Sequence, residues 1–511
     1  MYESNHLAKH LRTASLKQND AVFIHNHEND QLISFEKFFQ NAEKIASALI
    51  SAGIKPGDRV AMQVEKSSNV VELYFGTILA GACFLPLNTA YVSEEIDYFL
   101  RDSQPAIFVC DTLKIKGLTK IAKSNKVCHL WTLSADGTGT LVDARNAESP
   151  GFIGVKRDHD DLAALLYTSG TTGRSKGAML THMNLQSNAE ALFKSWHFTN
   201  KDILIHALPL YHTHGLFVAT NVSLLAGSSM LLMKKFNTDA ICKRMPQSSV
   251  MMGVPTFYVR LLEHPDLNNA AKNMRLFISG SAPLLSQTHD LWKEVTGQEI
   301  LERYGMTETN MNTSNPYYGE RRAGTVGMSL PGIELIVTHP STGRILKDGR
   351  TGMIEIRGPN VFKGYWGMPK KTAEELRDNG FFITGDLGKI SKDGYITLVS
   401  RSKDLIISAG YNIYPKEIEQ LVNLIDGVLE SAVIGVPHPD LGEAVVAAIV
   451  LESGFSLNED IIMDSLHNRI ANFKLPKKLM FVKKLPRNSM GKIQKNILRE
   501  SYGGTFSNSL D

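Results

Sequence analysis

Between Phe35 and Phe277 short apolar runs alternate with stretches of helical periodicity, and this alternation restricts the chain to α/β layers built around parallel strands. FEKFFQNAEKIASALISAG carries an apolar helical face and stops at a glycine. RVAMQV reads as a strand, and SSNVVELYFGTILAGA reads as a helix with serine as its N-cap. ACFLPL, DILIHAL, the run after His214, SSMLLM, VMMGVP and LFISG continue the pattern and predict two α/β subdomains rather than one long sheet. From Gly324 to Val399 the texture changes. Short strands such as GMIEIRG and GYITLVS, separated by Gly, Pro and Asp turns, predict a small β-rich subdomain. A boundary near Arg401 separates residues 1–400 from 401–511, where EIEQLVNLI, SAVIGVP, AVVAAIVLE, a helix through His467 and LMFV predict a small α+β domain.

Size and charge narrow the function classes. At 511 residues the chain exceeds what one hydrophobic core supports, and 43% hydrophobic with 21% charged residues is an ordinary globular composition. Lys and Arg number 55 against 52 acidic residues, and a net charge of +3 at this size argues against nucleic acid as a partner. No apolar run reaches the roughly 18 residues of a bilayer span, so no membrane association is expected. The start, MYESNHLAKHLRTASLKQND, lacks the apolar core of a secretory signal, and Glu3 and Asp20 set it apart from acid-poor transit peptides. Cys83, Cys110, Cys128 and Cys242 lack zinc-site spacing and predict buried free thiols, which fits a cytoplasmic location.

The strongest chemical signal is LLYTSGTTGRSKGAML, residues 165 to 180, an apolar strand that runs into a loop of Thr, Ser and Gly ending in Lys176. Such a loop cradles phosphates. Gly170 and Gly173 let backbone N–H groups turn inward on an anion, the hydroxyls of Thr168, Ser169, Thr171 and Thr172 add donors, and Lys176 adds a point charge. The Walker A order is absent.

LPLYHTHG (208 to 215), SGSAPL (279 to 284), RYGMTET (303 to 309), GYW (364 to 366), TGD (384 to 386), SRSKDLI (400 to 406) and PRNSMGK (486 to 492) follow in order. With the loop, they resemble the signature set of the adenylate-forming superfamily of acyl-CoA synthetases, nonribosomal-peptide adenylation domains and luciferases. The resemblance implies an N-terminal domain, 1–400, that binds ATP and an acid, and a mobile C-terminal domain, 401–511. It also implies two half-reactions. A carboxylate attacks the α-phosphate of ATP and pyrophosphate leaves; the acyl-adenylate then passes to CoA, releasing AMP. This chemistry needs charge neutralisation around in-line phosphates more than a base. By resemblance, Glu308 holds Mg²⁺ with Thr168, and Thr307 and Thr168 donate to the phosphates. Asp386 takes the ribose hydroxyls with Arg401 assisting, and Tyr304 stacks on adenine. Lys492 reaches the carboxylate and the α-phosphate, stabilising charge in the transition state. Lys403 is the hinge, Gly410 lines the CoA tunnel, and His212 sits near the reacting carboxylate. Lys492 is also a candidate target of a lysine acetyltransferase, as in related synthetases.

For the acid, HALPLYHTHGLF, GVPTFYVRL, ISGSAPLL, ERYGMTETNMNTSNPY and GPNVFKGYW resemble malonyl-CoA synthetases more closely than acetyl-, fatty- or aryl-CoA ligases. The polar run Asn310, Asn312, Thr313, Ser314 and Asn315 reads as a poor lining for a long aliphatic chain. The resemblance implies that one malonate carboxylate reacts while the other meets a guanidinium fork. Arg260, on a helix opened by Pro255, is the candidate, with Ser281 and His214 adding hydrogen bonds. Methylmalonate fits the same logic. Three alternatives stay open: a CoA ligase for another small or aryl acid, an adenylation module that loads a carrier protein, and a non-catalytic binding protein. An appended carrier domain would mark the second; loss of Lys176, Glu308, Asp386 or Lys492 would mark the third.

Overall fold

In the computed structural model, residues 2–168, 175–409, 411–467, 469–488 and 491–506 are described. The chain divides into two compact units, Met1–Glu334 with Ile356–Phe382, and Leu335–Glu355 with Ile383–Asp511.

The first unit holds two sheets. One has the strand order His129–Thr132, Ile107–Cys110, Arg59–Gln63, Cys83–Pro86, Leu162–Thr168 and Lys176–Thr181. Its neighbours are parallel except for the last pair, an antiparallel hairpin in which Thr168 faces Lys176. The other has nine strands and a parallel centre of Ile300–Met306, Leu276–Ser279, Val250–Gly253, Ile203–His206 and Ser229–Leu232. Helices cover both faces of a parallel sheet, so its strands are apolar without alternation; Val250–Gly253 and Leu276–Ser279 are buried at every position. The two expected α/β subdomains are these two sheets.

The helices form for the reasons the sequence suggests, with one exception. In Phe35–Ser51 the Ser34 hydroxyl accepts from the Lys37 amide at 3.2 Å, and Phe35, Phe38, Phe39, Ala42, Ile45, Ala46 and Leu49 are buried. This face packs on the helix Ser68–Leu79, and the approach is close: a Cβ on Gly76 would lie 2.9 Å from the Ala42 carbonyl oxygen. Ser67 stands at the N-cap of that second helix, as expected, but its side chain makes no capping hydrogen bond.

Most of the β-rich stretch falls in the second unit, with the order Glu334–Thr338, Gly352–Arg357, Phe382–Ile390 and Ile396–Arg401. Beyond it lies a sheet of Tyr411–Ile413, Ile406–Ser408, Gly442–Leu451 and Val428–His438, with Lys478–Phe481 pairing parallel to Gly442–Leu451. Helices Pro415–Val422, Glu459–His467 and Lys495–Tyr502 accompany it, giving the α+β texture expected after residue 400. No helix among the described residues is long and apolar enough to cross a membrane. All four cysteines are free thiols; Cys128 is exposed, not buried as expected, while the other three are buried.

Candidate active site

In open α/β sheets ligands lodge beyond the carboxyl ends of the parallel strands. Three strands of the nine-stranded sheet end there in chemically distinctive residues. Leu276–Ser279 runs into Gly280 and Ser281, and Ser281 adopts a left-handed conformation, φ 71°. For a non-glycine residue this costs on the order of 1 kcal/mol and persists only where neighbours enforce it. The Ser281 Oγ lies 3.4 Å from His214 Nδ1.

His214 opens the π-helix His214–Ala219 and is buried. Burial, followed by the Arg303 cation and the rings of His206 and His212, holds its pKa well below the usual histidine value, so the imidazole is neutral. Its Nε2 has no hydrogen-bond partner among the described residues.

Arg303, on Ile300–Met306, is 2% exposed. Burial pulls its guanidinium down to about 9 against the pull of Tyr258 and Glu302, which leaves it a cation at neutral pH. Nε and Nη2 have no partner among the described residues. The guanidinium lies close against Gly280: a Cβ there would sit 2.4 Å from Arg303 Cζ, so a larger residue would displace the guanidinium. A buried, partly unsatisfied cation costs several kcal/mol.

The histidine-bearing loop sits beside this group. Thr213 Oγ1 donates to Asn310 Oδ1 at 3.1 Å, and the half-buried His212 ring meets Tyr211 edge-on at 4.7 Å. Asn310 is itself left-handed, φ 50°.

A second cluster gathers around the phosphate-loop hairpin. Lys176 Nζ lies 3.4 Å from Glu375 Oε1 and 4.1 Å above the Tyr365 ring. The Tyr365 hydroxyl lies 2.6 Å from Glu375 Oε2 and 3.0 Å from Glu308 Oε1. It has one proton, so it donates to one carboxylate at a time. Burial would raise the Glu375 carboxyl, but the Tyr365 hydroxyl and the Lys371 and Lys176 ammonium groups outweigh it and hold the pKa below the ordinary range. Glu308, 6% exposed, follows Thr307, which is half-buried in the turn after Met306. Tyr304 is buried on the same strand, its hydroxyl 3.9 Å from Met306 Sδ.

In the second unit, Asp386 faces Arg401 across an antiparallel pair, with Arg401 Nε 2.8 Å from Asp386 Oδ1. The Asp386 amide donates to Thr384 Oγ1 at 3.0 Å, and Arg401 Nη1 donates to the Thr384 carbonyl at 3.2 Å. Lys403 is exposed in the single turn Ser402–Asp404. Lys492 lies on one arm of a loop closed by the Arg487 and Ile493 bridge; its amide donates to Asn488 Oδ1 at 3.0 Å. Ser169, Gly170, Thr171, Thr172, Gly173 and Gly410 lie outside the described residues.

The family model "AMP-binding enzyme" matches residues 10–366, and "AMP-binding enzyme C-terminal domain" matches 417–492. The chain belongs to the AMP-binding enzyme family. An ATP-bound MatB from Rhodopseudomonas palustris is 52% identical, covers 98% of this chain and 99% of its own, and superposes with a TM-score of 0.96. A malonate–CoA ligase from Arabidopsis thaliana is 33% identical over 88% of this chain and 79% of its own. A long-chain-fatty-acid–CoA ligase from Bacillus subtilis is 31% identical over 92% and 90%.

Within this AMP-binding enzyme the structure brings Ser281 within 3.4 Å of His214 and pairs Asp386 with Arg401. It places Arg260 elsewhere than in that cluster's hydrogen bonds: exposed in the last turn of Pro255–Leu262, its Cζ 6.0 Å from the Phe236 ring centroid, with no ion pair among the described residues. In the polar run after Glu308, Asn310–Ser314 is a buried strand. Thr313 Oγ1 donates to the Val326 carbonyl at 2.6 Å, Trp196 Nε1 donates to Ser314 Oγ at 2.9 Å, and Asn315 Nδ2 donates to the Glu302 carbonyl at 3.0 Å, while Asn310 Nδ2 and Asn312 Nδ2 have no hydrogen-bond partner among the described residues. Sequence reasoning missed Arg303 and Glu375. Arg303 stood inside the quoted motif, but nothing in a sequence says that its guanidinium is buried.

Proposed function

We propose that this AMP-binding enzyme is a malonyl-CoA synthetase, which joins malonate to CoA through a malonyl-adenylate and releases pyrophosphate and AMP. The observation that carries the acid is Arg303, a buried guanidinium whose Nε and Nη2 have no hydrogen-bond partner among the described residues, beside the Ser281–His214 pair. A dicarboxylate sends one carboxylate to ATP and leaves the other charged; burying that second charge requires a fixed cation. A monocarboxylate supplies no such charge. Arg260, exposed at the end of its helix, is a second guanidinium for the acid, and methylmalonate is a second substrate, since one methyl group discriminates by only about 1 to 3 kcal/mol.

The remaining roles follow the motifs. Thr168, Thr307 and Lys176, with Ser169, Gly170, Thr171, Thr172 and Gly173, serve the phosphates; Tyr304 serves adenine; Asp386 with Arg401 serves ribose. His212 faces the reacting carboxylate, and Lys492 neutralises charge as the α-phosphate is attacked. Mg²⁺ suits the residues present: it is usually held by one or two carboxylates together with substrate phosphates, and Glu308 and Glu375 share a single hydroxyl proton, which leaves negative charge for a divalent cation to offset. Glu308, with Thr168, would hold it; when bound it supplies neutralisation of phosphate charge. Residues 401–511 act as the mobile domain with Lys403 as hinge, and Gly410 serves CoA. The free thiols support a cytoplasmic location. Acetylation of Lys492 would remove the charge assigned to it.

The test is AMP release with ATP, Mg²⁺ and CoA across acetate, malonate, methylmalonate, succinate, octanoate and coumarate. Malonate should give the highest kcat/KM; a monocarboxylate in first place overturns the assignment.

A further inference from the structure

The loop from Ala207 to His214 carries both site histidines yet belongs to no strand, so something must hold it. Lys66 does. It follows the strand Arg59–Gln63 of the six-stranded sheet, is buried, and directs its side-chain nitrogen at three acceptors at the far sheet: His206 Nδ1 at 2.9 Å, the His206 carbonyl at 2.8 Å and the Leu208 carbonyl at 2.7 Å. Burial pulls the Lys66 pKa well below the ordinary lysine range, against the pull of Glu28, while its nitrogen has an acceptor for each of the three protons an ammonium carries. Because Nδ1 accepts from Lys66, His206 carries its proton on Nε2, which donates to the Gly215 carbonyl at 2.7 Å. One ammonium thus ties down the entry of the loop at 206 and 208 and, through the imidazole, its exit at 215.

The exit is tight. A Cβ on Gly215 would lie 2.1 Å from the Pro209 carbonyl oxygen, so the two ends of the loop are in backbone contact where Lys66 and His206 clamp them. His214, one residue before the clamp point, is the group that reaches Ser281.

We propose that Lys66 is a positioning residue for acid activation: through His206 it fixes the loop that presents His212 and His214, without touching the acid. The proposal rests on the reading of this loop as part of the acid site. Catalytic geometry tolerates little error, a displacement of about 1 Å costing about 10²-fold in favourable cases. A loop released from its clamp should therefore bind and align the acid poorly while the nucleotide is bound as before.

The experiment compares wild type with Lys66→Met, similar in length but unable to donate, and with His206→Leu, which leaves both carbonyl bonds of Lys66 intact and cuts the link to Gly215. Each is assayed by acid-dependent exchange of pyrophosphate into ATP, with KM measured separately for ATP and for whichever acid the wild type activates best, so that a failure of the malonate reading does not decide this one. Lys66→Met should raise the acid KM at least about tenfold while the ATP KM stays within about twofold, and His206→Leu should show the same split at smaller size. A role confined to folding would lower the active fraction and leave both KM values unchanged; that result, or an equal rise in both, overturns the proposal. If Lys66→Met does not yield folded protein by circular dichroism, the split in His206→Leu decides alone.

Discussion

Replacing Arg303 with methionine separates stability from function, because the same burial that makes the guanidinium useful makes it costly. The side chain is 2% exposed and two of its nitrogens have no partner among the described residues. Substituting an apolar side chain of similar length for a buried, poorly satisfied charge is commonly neutral or stabilising, by about 1 to 4 kcal/mol. Arg303→Met should therefore keep or raise the unfolding midpoint. Activity moves the other way. Two charge-assisted hydrogen bonds to a carboxylate are worth about 1.5 to 3 kcal/mol each, so malonate kcat/KM should fall by about 10² to 10⁴-fold. Acetate, which presents no second carboxylate, should lose less than about tenfold, and its rate relative to malonate should rise. Gly280→Ala, whose new Cβ would collide with the guanidinium, should reproduce the selective loss. Arg260→Met, at an exposed guanidinium, should cost malonate less than about tenfold. The assay is malonate- and acetate-dependent pyrophosphate exchange with thermal unfolding in parallel. Equal loss for both acids, or a midpoint that drops steeply, refutes the reasoning; a larger effect at Arg260 than at Arg303 transfers the role to Arg260.

Other predictions divide by half-reaction and by pH. Lys492→Ala should abolish adenylate formation yet form malonyl-CoA from preformed malonyl-adenylate; equal loss of both steps contradicts its role. Lys403→Pro should leave pyrophosphate exchange near normal and cripple thioester formation, and normal rates in both would remove the hinge. His182 is buried, accepts from the Leu7 amide at 3.2 Å, and has its pKa pushed down to about 3 by burial, then by Arg157 and His6. Its folded pKa lies below the unfolded 6.5, so the unfolded chain binds the extra proton and stability falls as pH drops below about 6.5, by up to about 1.4 kcal/mol per unit from this group. His182→Gln should flatten the urea midpoint against pH between about 6.5 and 4, and an unchanged slope contradicts the assignment.

The alternation of strands and helices was legible because each α/β layer repeats one pattern, and the helix Phe35–Ser51 declares its own face, cap and stop. The acid site was less so. Arg303 and Arg260 look alike in a sequence, and only packing separates a guanidinium sealed against Gly280 from one on an open helix end. In the polar run from Asn310 to Asn315 a sequence does not show which side chains serve structure: Thr313 and Asn315 donate to the carbonyls of Val326 and Glu302, each 13 residues away. Lys66 and Glu375 were silent, since each acquires its meaning from a partner more than a hundred residues away.

Activation of malonate through an adenylate is tested directly by the stoichiometry of a single turnover. With enzyme in excess over malonate, and ATP, Mg²⁺ and CoA present, each malonyl-CoA formed should be matched by one AMP and one pyrophosphate, with malonyl-adenylate accumulating when CoA is withheld. ADP and phosphate as products, or AMP release that does not depend on malonate, would contradict it.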